Sequence, residues 1–175
     1  MNEIIENQLI RLGIPLSGIE QGMKNLNEWA SQVREIESDN NPMAVPRNKD
    51  GTLASSAKGV YQFLDGSVPV AKQRMLNAGY PEDYVNSIND NPQEWSPEQA
   101  DAMFFGNMFS QADSDSLLRE IALGNQNARR EAYYKFHHTN PDAATIKRTE
   151  NYIPVLEQPV DDLMEDYNKT QKAFN

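Results

Sequence analysis

The sequence predicts a mainly helical α+β domain with one small β-hairpin inserted early in the chain. Three observations carry that expectation. Apolar residues recur at helical spacing over most of the length, and a segment rich in Asn, Pro, Gly and Ser interrupts them between residues 40 and 59. Within that segment Asp50-Gly51 suits the positive φ angles of a tight hairpin turn. The chain has 175 residues, 38% of them hydrophobic, which is enough for one domain with a real core.

The elements follow in order. An amphipathic helix over residues 3–12 stops at Gly13-Ile14-Pro15. Ser17 and Glu20 stand at capping-box spacing, so a second helix should begin there and run to Glu37 or Ser38. Val45, Leu53, Val60 and Tyr61 are the strand candidates of the hairpin. Helices resume over residues 68–78 and 81–88. Ser96-Pro97-Glu98 opens another, with a serine cap, proline in the first helical position and an acid in the first turn. Ala100, Met103, Phe104 and Met108 continue it at helical spacing. The last helices are expected over residues 114–123, 127–136 and 143–156. Residues 1–156 therefore read as one domain, with 1–13 as a peripheral helix. Residues 157–175 read as an acidic C-terminal tail, a peripheral helix or a segment that docks to a partner.

Charge and composition exclude several classes. A net charge of −10 and a pI near 4.6 oppose a dedicated nucleic-acid binder, because a phosphate backbone is repelled overall. Without cysteine there is no disulfide and no thiolate zinc site. No stretch approaches the roughly 20 apolar residues of a membrane span. The opening MNEIIENQLIRLG places two acids before any apolar run, unlike a secretory signal peptide. Between Arg119 and Arg148, six basic residues face Glu120, Glu131 and Asp142; this is either a face for an anionic substrate or a solvated helix surface. Adjacent His137 and His138 would point about 100° apart on a helix, unlike the i, i+4 pair that grips one metal, so neither metal nor cofactor is expected.

The second helix singles out one carboxylate. On a helical wheel Ile19, Gly22, Met23, Leu26, Trp29, Ala30, Val33 and Ile36 form one stripe, with Glu20, Lys24, Asn27, Glu28, Ser31 and Glu35 opposite. Glu37 falls in line with Ile19, Leu26 and Ala30. A carboxyl there is partly desolvated and lies near the negative end of the helix dipole, and both effects raise its pKa. A carboxylic acid that keeps its proton near neutral pH can protonate a glycosidic oxygen. The alternative is a helix that ends one residue earlier and releases Glu37 into solvent.

Wording around Glu37 adds a second kind of information. Glu37-Ser38-Asp39-Asn40-Asn41-Pro42 is followed by Ser55-Ser56-Ala57-Lys58-Gly59-Val60-Tyr61-Gln62-Phe63, then by Glu131-Ala132-Tyr133-Tyr134 and Thr149-Glu150-Asn151-Tyr152-Ile153. In this order the motifs resemble the lytic transglycosylase family of the lysozyme superfamily, most of all its phage-borne members, over residues 26–156. The resemblance implies a lysozyme-like helical domain that cleaves the glycan strands of peptidoglycan. In it Glu37 acts as acid and then base, Gln62 binds a sugar, and Tyr152 points its hydroxyl at the Glu37 carboxyl. Gly59 matches a glycine that lets backbone approach substrate, Ser55 or Ser56 a serine near the glutamate, and Tyr133 part of a subsite. Tyr61 and Phe63 fit either sugar stacking or strand alternation. Tyr134 departs from the family, which has asparagine there.

The family uses a single glutamate, and the substrate's own N-acetyl group and C6 hydroxyl complete a water-free reaction that leaves anhydro-muramic ends. A hydrolytic lysozyme would need a second carboxylate, for which Asp50 is the candidate. An inactive structural virion protein is the remaining reading. The phage resemblance implies a virion protein acting on the wall in the bacterial periplasm, or a lysis enzyme, with other virion proteins as partners of the C-terminal segment.

Overall fold

A computed structural model describes residues 2–155, so the expectations for residues 157–175 lie outside the described residues. The protein is mainly helical. Its α-helices are α1 (Asn2–Arg11), α2 (Ile19–Ser38), α3 (Val68–Asn77), α4 (Glu82–Ser87), α5 (Pro97–Phe109), α6 (Asp115–Ala122), α7 (Gln126–Ala132) and α8 (Ala143–Tyr152). Helix α2 runs through the middle, against α1, α6 and α8. Its apolar stripe is the predicted one: Leu26, Trp29, Ala30 and Val33 are buried almost completely. The indole Nε1 of Trp29 donates to the Arg129 carbonyl at 3.0 Å and ties α2 to α7.

Helix α5 is buried on nearly every side, as its run Ala102 to Phe109 requires. It starts at the predicted serine cap, where Ser96 Oγ accepts from the Gln99 backbone N–H at 3.2 Å; the structure adds a reciprocal bond in which Gln99 Oε1 accepts from the Ser96 N–H at 3.0 Å. Gly106 brings α5 against α3. A Cβ at this position would overlap Met75 Cγ and stand 3.0 Å from its Cα, which is backbone and cannot step aside. Gly106→Ala should therefore destabilise the fold by about 1–3 kcal/mol despite alanine's better helix propensity, read as a lowered denaturant midpoint at unchanged m-value.

Three local expectations need correction. Ser17 caps nothing, because it lies inside a 3-10 turn (Leu16–Gly18) and α2 begins after Gly18 without a side-chain cap. The segment between α2 and α3 doubles back twice but builds no β-ladder; each turn closes on one isolated bridge, Arg47 with Leu53 and Lys58 with Phe63. The first turn carries polar residues, and Leu53 remains exposed, so it has no apolar face to pack a strand pair upon. The expected helix over 127–136 is α7 followed by a π turn (Tyr133–His137), closed by the His138 N–H on the Tyr133 carbonyl at 2.8 Å.

Candidate active site

Glu37 lies in the last turn of α2, and the end of that helix decides where it points. Asp39 and Asn40 take left-handed φ angles of 53° and 57°, which Asp and Asn tolerate better than most residues. The Asp39 N–H then reaches back to the Glu35 carbonyl at 3.1 Å. Ser38 secures the turn by donating to the Val60 carbonyl at 2.9 Å. The helix thus continues past Glu37, whose side chain is only 6% exposed. It opens on a cavity of about 470 Å³ also lined by Gln62, His137, His138, Asp142 and Arg148.

The π turn supplies the partners. Tyr133 Oη donates to Glu37 Oε1 at 2.7 Å, and His138 Nδ1 stands 3.0 Å from the same oxygen. His137 Nε2 donates to the Tyr61 carbonyl at 2.8 Å, since a carbonyl only accepts, and lies 3.7 Å from Glu37 Oε1. With both bonds on Oε1, Glu37 Oε2 takes no hydrogen bond among the described residues. The carboxyl is held by one oxygen and presents the other.

Electrostatics follow from these contacts. Burial pushes the Glu37 carboxyl up, but the His138 hydrogen bond, any charge on His137, the Tyr133 hydroxyl and the His138 charge outweigh it. The net direction is down, which corrects the expectation of a raised acid. Burial lowers the His137 imidazole against the upward pull of Glu37, so His138 rather than His137 supplies the cation. His138 is raised, first by its bond to Glu37, against its partial burial. Burial and the Glu37 charge push the Tyr133 phenol far up, keeping it a donor.

These directions set the pH dependence of stability. A lowered Glu37 contributes stability that is complete above the ordinary carboxylate range and is lost as pH falls through its depressed value. A raised His138 contributes stability that is complete below the ordinary imidazole range and is lost as pH rises through its raised value. The pair is intact in the window between. Melting temperature should peak there, and Glu37→Gln should flatten both flanks.

The other sequence candidates separate. Gln62 lines the cavity in a left-handed conformation (φ 51°), its Nε2 donating to the carbonyls of Gly59 at 2.8 Å and Ala44 at 3.2 Å. Its amide oxygen has no protein partner among the described residues. Gly59 does not face the cavity: with φ 75° it turns the chain beneath Pro92, whose carbonyl oxygen would be 2.7 Å from an added Cβ. Ser55 lines the cavity, whereas Ser56 stays in its own loop and accepts from the Asp65 N–H at 3.3 Å. Tyr61 is 1% exposed, stacked on Phe104 at 4.4 Å between centroids, and its hydroxyl bonds Asp101 and Arg34 at 2.6 and 3.0 Å. It is a buried pillar whose carbonyl holds His137, not a surface for a sugar, and Phe63 is buried too.

Tyr133 is likewise fully buried and touches Glu37 rather than a subsite. The hydroxyl on Glu37 is Tyr133's, not Tyr152's: Tyr152 is partly exposed and lines a separate cavity with Gln32 and Glu35. Asp50 is exposed at its turn, where its carboxylate accepts from Thr52 Oγ1 at 2.6 Å, and it does not line the Glu37 cavity. Asp142 does line it, as the N-cap of α8 accepting from the Thr145 N–H at 2.7 Å. Sequence reasoning weighed His137 and His138 only as metal ligands. Tyr133 and His137 at i, i+4, with His138 beside them, were the available signal for a polar cluster. Among the described residues no group of three or more His, Asp or Glu is arranged to hold a metal ion, and no helix is long and apolar enough to cross a membrane. No family model matches the chain, and neither the curated proteins nor the solved structures give a match.

Proposed function

We propose that the protein is a peptidoglycan lytic transglycosylase that cleaves the β-1,4 bond between N-acetylmuramic acid and N-acetylglucosamine. The observation that carries this reading is the buried Glu37 carboxyl, anchored through Oε1 by Tyr133 and His138 while Oε2 takes no hydrogen bond among the described residues, at an open cavity. In this reading Oε2 protonates the departing glycosidic oxygen as the substrate's N-acetyl oxygen closes on C1. The resulting carboxylate then takes the C6 hydroxyl proton as that oxygen displaces the N-acetyl group, so the proton returns to Glu37 and no water is consumed. The amide oxygen of Gln62 accepts a sugar hydroxyl at the cavity wall. Because Glu37 is lowered, cleavage strengthens as pH falls into the range where the carboxyl holds its proton.

On this reading, which rests on the motif resemblance, the enzyme belongs to a phage virion or lysis system and acts on the wall in the periplasm, with the C-terminal segment as a contact for other virion proteins. A zymogram on purified sacculi tests the activity, with clearing expected from the wild type. A protein that folds but clears nothing at any pH sinks the reading. Hydrolysis is the second reading, and what favours it is Asp142, the other carboxylate on the cavity among the described residues. Product analysis separates the two, since anhydro-muramic ends mark the transglycosylase and reducing ends the hydrolase. Asp142→Asn should leave the anhydro product intact, whereas a wild type that yields reducing ends and loses them in Asp142→Asn would favour hydrolysis.

A further inference from the structure

The cavity holds more titratable groups than a single-carboxylate reaction uses, and their arrangement is not symmetric about Glu37. Tyr133, His137 and His138 approach it from the π turn, and Arg148 and Asp142 face the same cavity from α8 and its cap. Arg148 is already engaged by the Glu35 carbonyl and by Asp39 at 2.7 Å. Asp142 is occupied by the α8 N-terminus. His137 gives its Nε2 proton to the Tyr61 carbonyl and is enclosed by aromatic rings, with Phe104, Phe63 and Tyr61 at 5.5, 6.0 and 6.3 Å between centroids. Tyr133 donates as a neutral phenol. Among the described residues His138 is the one group that both touches the carboxyl and reaches solvent, with 32% of its side chain exposed.

We propose that His138 is a positioning residue that clamps Glu37 through Oε1 as an ion pair, leaving Oε2 aimed at the substrate. This deepens the transglycosylase reading and rests on it for its catalytic consequence, though the pair itself stands on geometry alone. A carboxyl buried to this degree would, without a cation, keep its proton and lose it reluctantly. The imidazolium stabilises the carboxylate that is left after the proton goes to the leaving group. It therefore makes Glu37 a stronger acid while narrowing the pH range in which the acid is loaded. Solvent access at His138 lets its own charge follow the surrounding pH, and the clamp tightens or loosens with it. The π turn is what makes the clamp: it carries His138 out of the helix and its Nδ1 to 3.0 Å from Oε1, beside the Tyr133 hydroxyl.

The test is NMR titration of the Glu37 carboxyl carbon and the His138 ring nitrogens in the wild type, His138→Gln, His138→Lys and Glu37→Gln. Glutamine retains a hydrogen-bond donor and drops the charge; lysine retains the charge. At mildly acidic pH the protonated fraction of Glu37 should rise about tenfold in His138→Gln, the consequence of a titration displaced by one pH unit, and stay near the wild-type value in His138→Lys. In Glu37→Gln, His138 should titrate at lower pH than in the wild type. Sacculus cleavage by His138→Gln should extend to higher pH, its rate relative to that at acidic pH rising by about the same factor, with KM little changed. If Glu37 titrates at the same pH in the wild type and in His138→Gln, and cleavage falls equally at all pH values, His138 is a packing residue and the proposal is wrong. If the titrations behave as expected and the wild type cleaves no glycan, the ion pair stands and the transglycosylase reading falls.

Discussion

Glu37→Gln should abolish glycan cleavage, lowering the rate by about a hundred- to ten-thousand-fold, the contribution of a positioned general acid. The substitution is nearly isosteric, and its amide oxygen can still accept from Tyr133 and His138 on the side where Oε1 now sits. What it removes is the exchangeable proton on the atom facing the cavity. The loss should appear in kcat, with KM close to that of the wild type, because the cavity wall at Gln62 and Arg148 is untouched. Equal clearing of sacculi by the wild type and by Glu37→Gln would remove Glu37 from the chemistry. Circular dichroism and the melting temperature distinguish such a result from misfolding.

Trp29→Ala should have the largest effect on stability. Trp29 is wholly buried at the middle of α2, its ring 5.1 Å from that of Phe104, so truncation leaves a cavity between α2 and α5. Removal of a buried tryptophan costs about 3–5 kcal/mol, against a total stability of roughly 5–15 kcal/mol for a domain. It also leaves the Arg129 carbonyl without its indole donor, on the helix that leads into the π turn. A fall in melting temperature of about 10 °C or more is expected for a chain of this size. Trp29→Phe keeps most of the packing and loses the hydrogen bond, so it should cost about 1–2 kcal/mol and separate the two contributions. A melting temperature unchanged in Trp29→Ala would mean that α2 is not the central element described.

Glu37 was separable from Glu35 on helical period alone, because burial of one α-helical face repeats at 3.6 residues whatever the neighbours are. The start of α5 was legible for a similar reason: Ser96 satisfies a free backbone donor within one turn and Pro97 has no donor to leave free, which needs no distant partner. Ser17 and Glu20 carry the same spacing and fail, since the chain enters α2 through a 3-10 turn after Pro15. The Asp50-Gly51 turn formed locally, with the Asn48 N–H on the Thr52 carbonyl at 2.9 Å, but its strands did not. A ladder requires a buried face, and Leu53 found none.

The sequence by itself determined the helical periods, the turn at Asp50-Gly51, the cap at Ser96 and the inward direction of Glu37, all properties of neighbours within a few residues. Only the tertiary structure decided the company Glu37 keeps. It replaced Tyr152 with Tyr133, enclosed Tyr61 and Gly59, and brought His138 to the carboxyl from 101 positions along the chain. That contact, together with His137 and Tyr133, reverses the direction of the Glu37 pKa. Burial is written in the helix pattern, whereas a charge that opposes it acts through space, and here it depends on a π turn in a helix whose residues by spacing alone predict an ordinary α-helix.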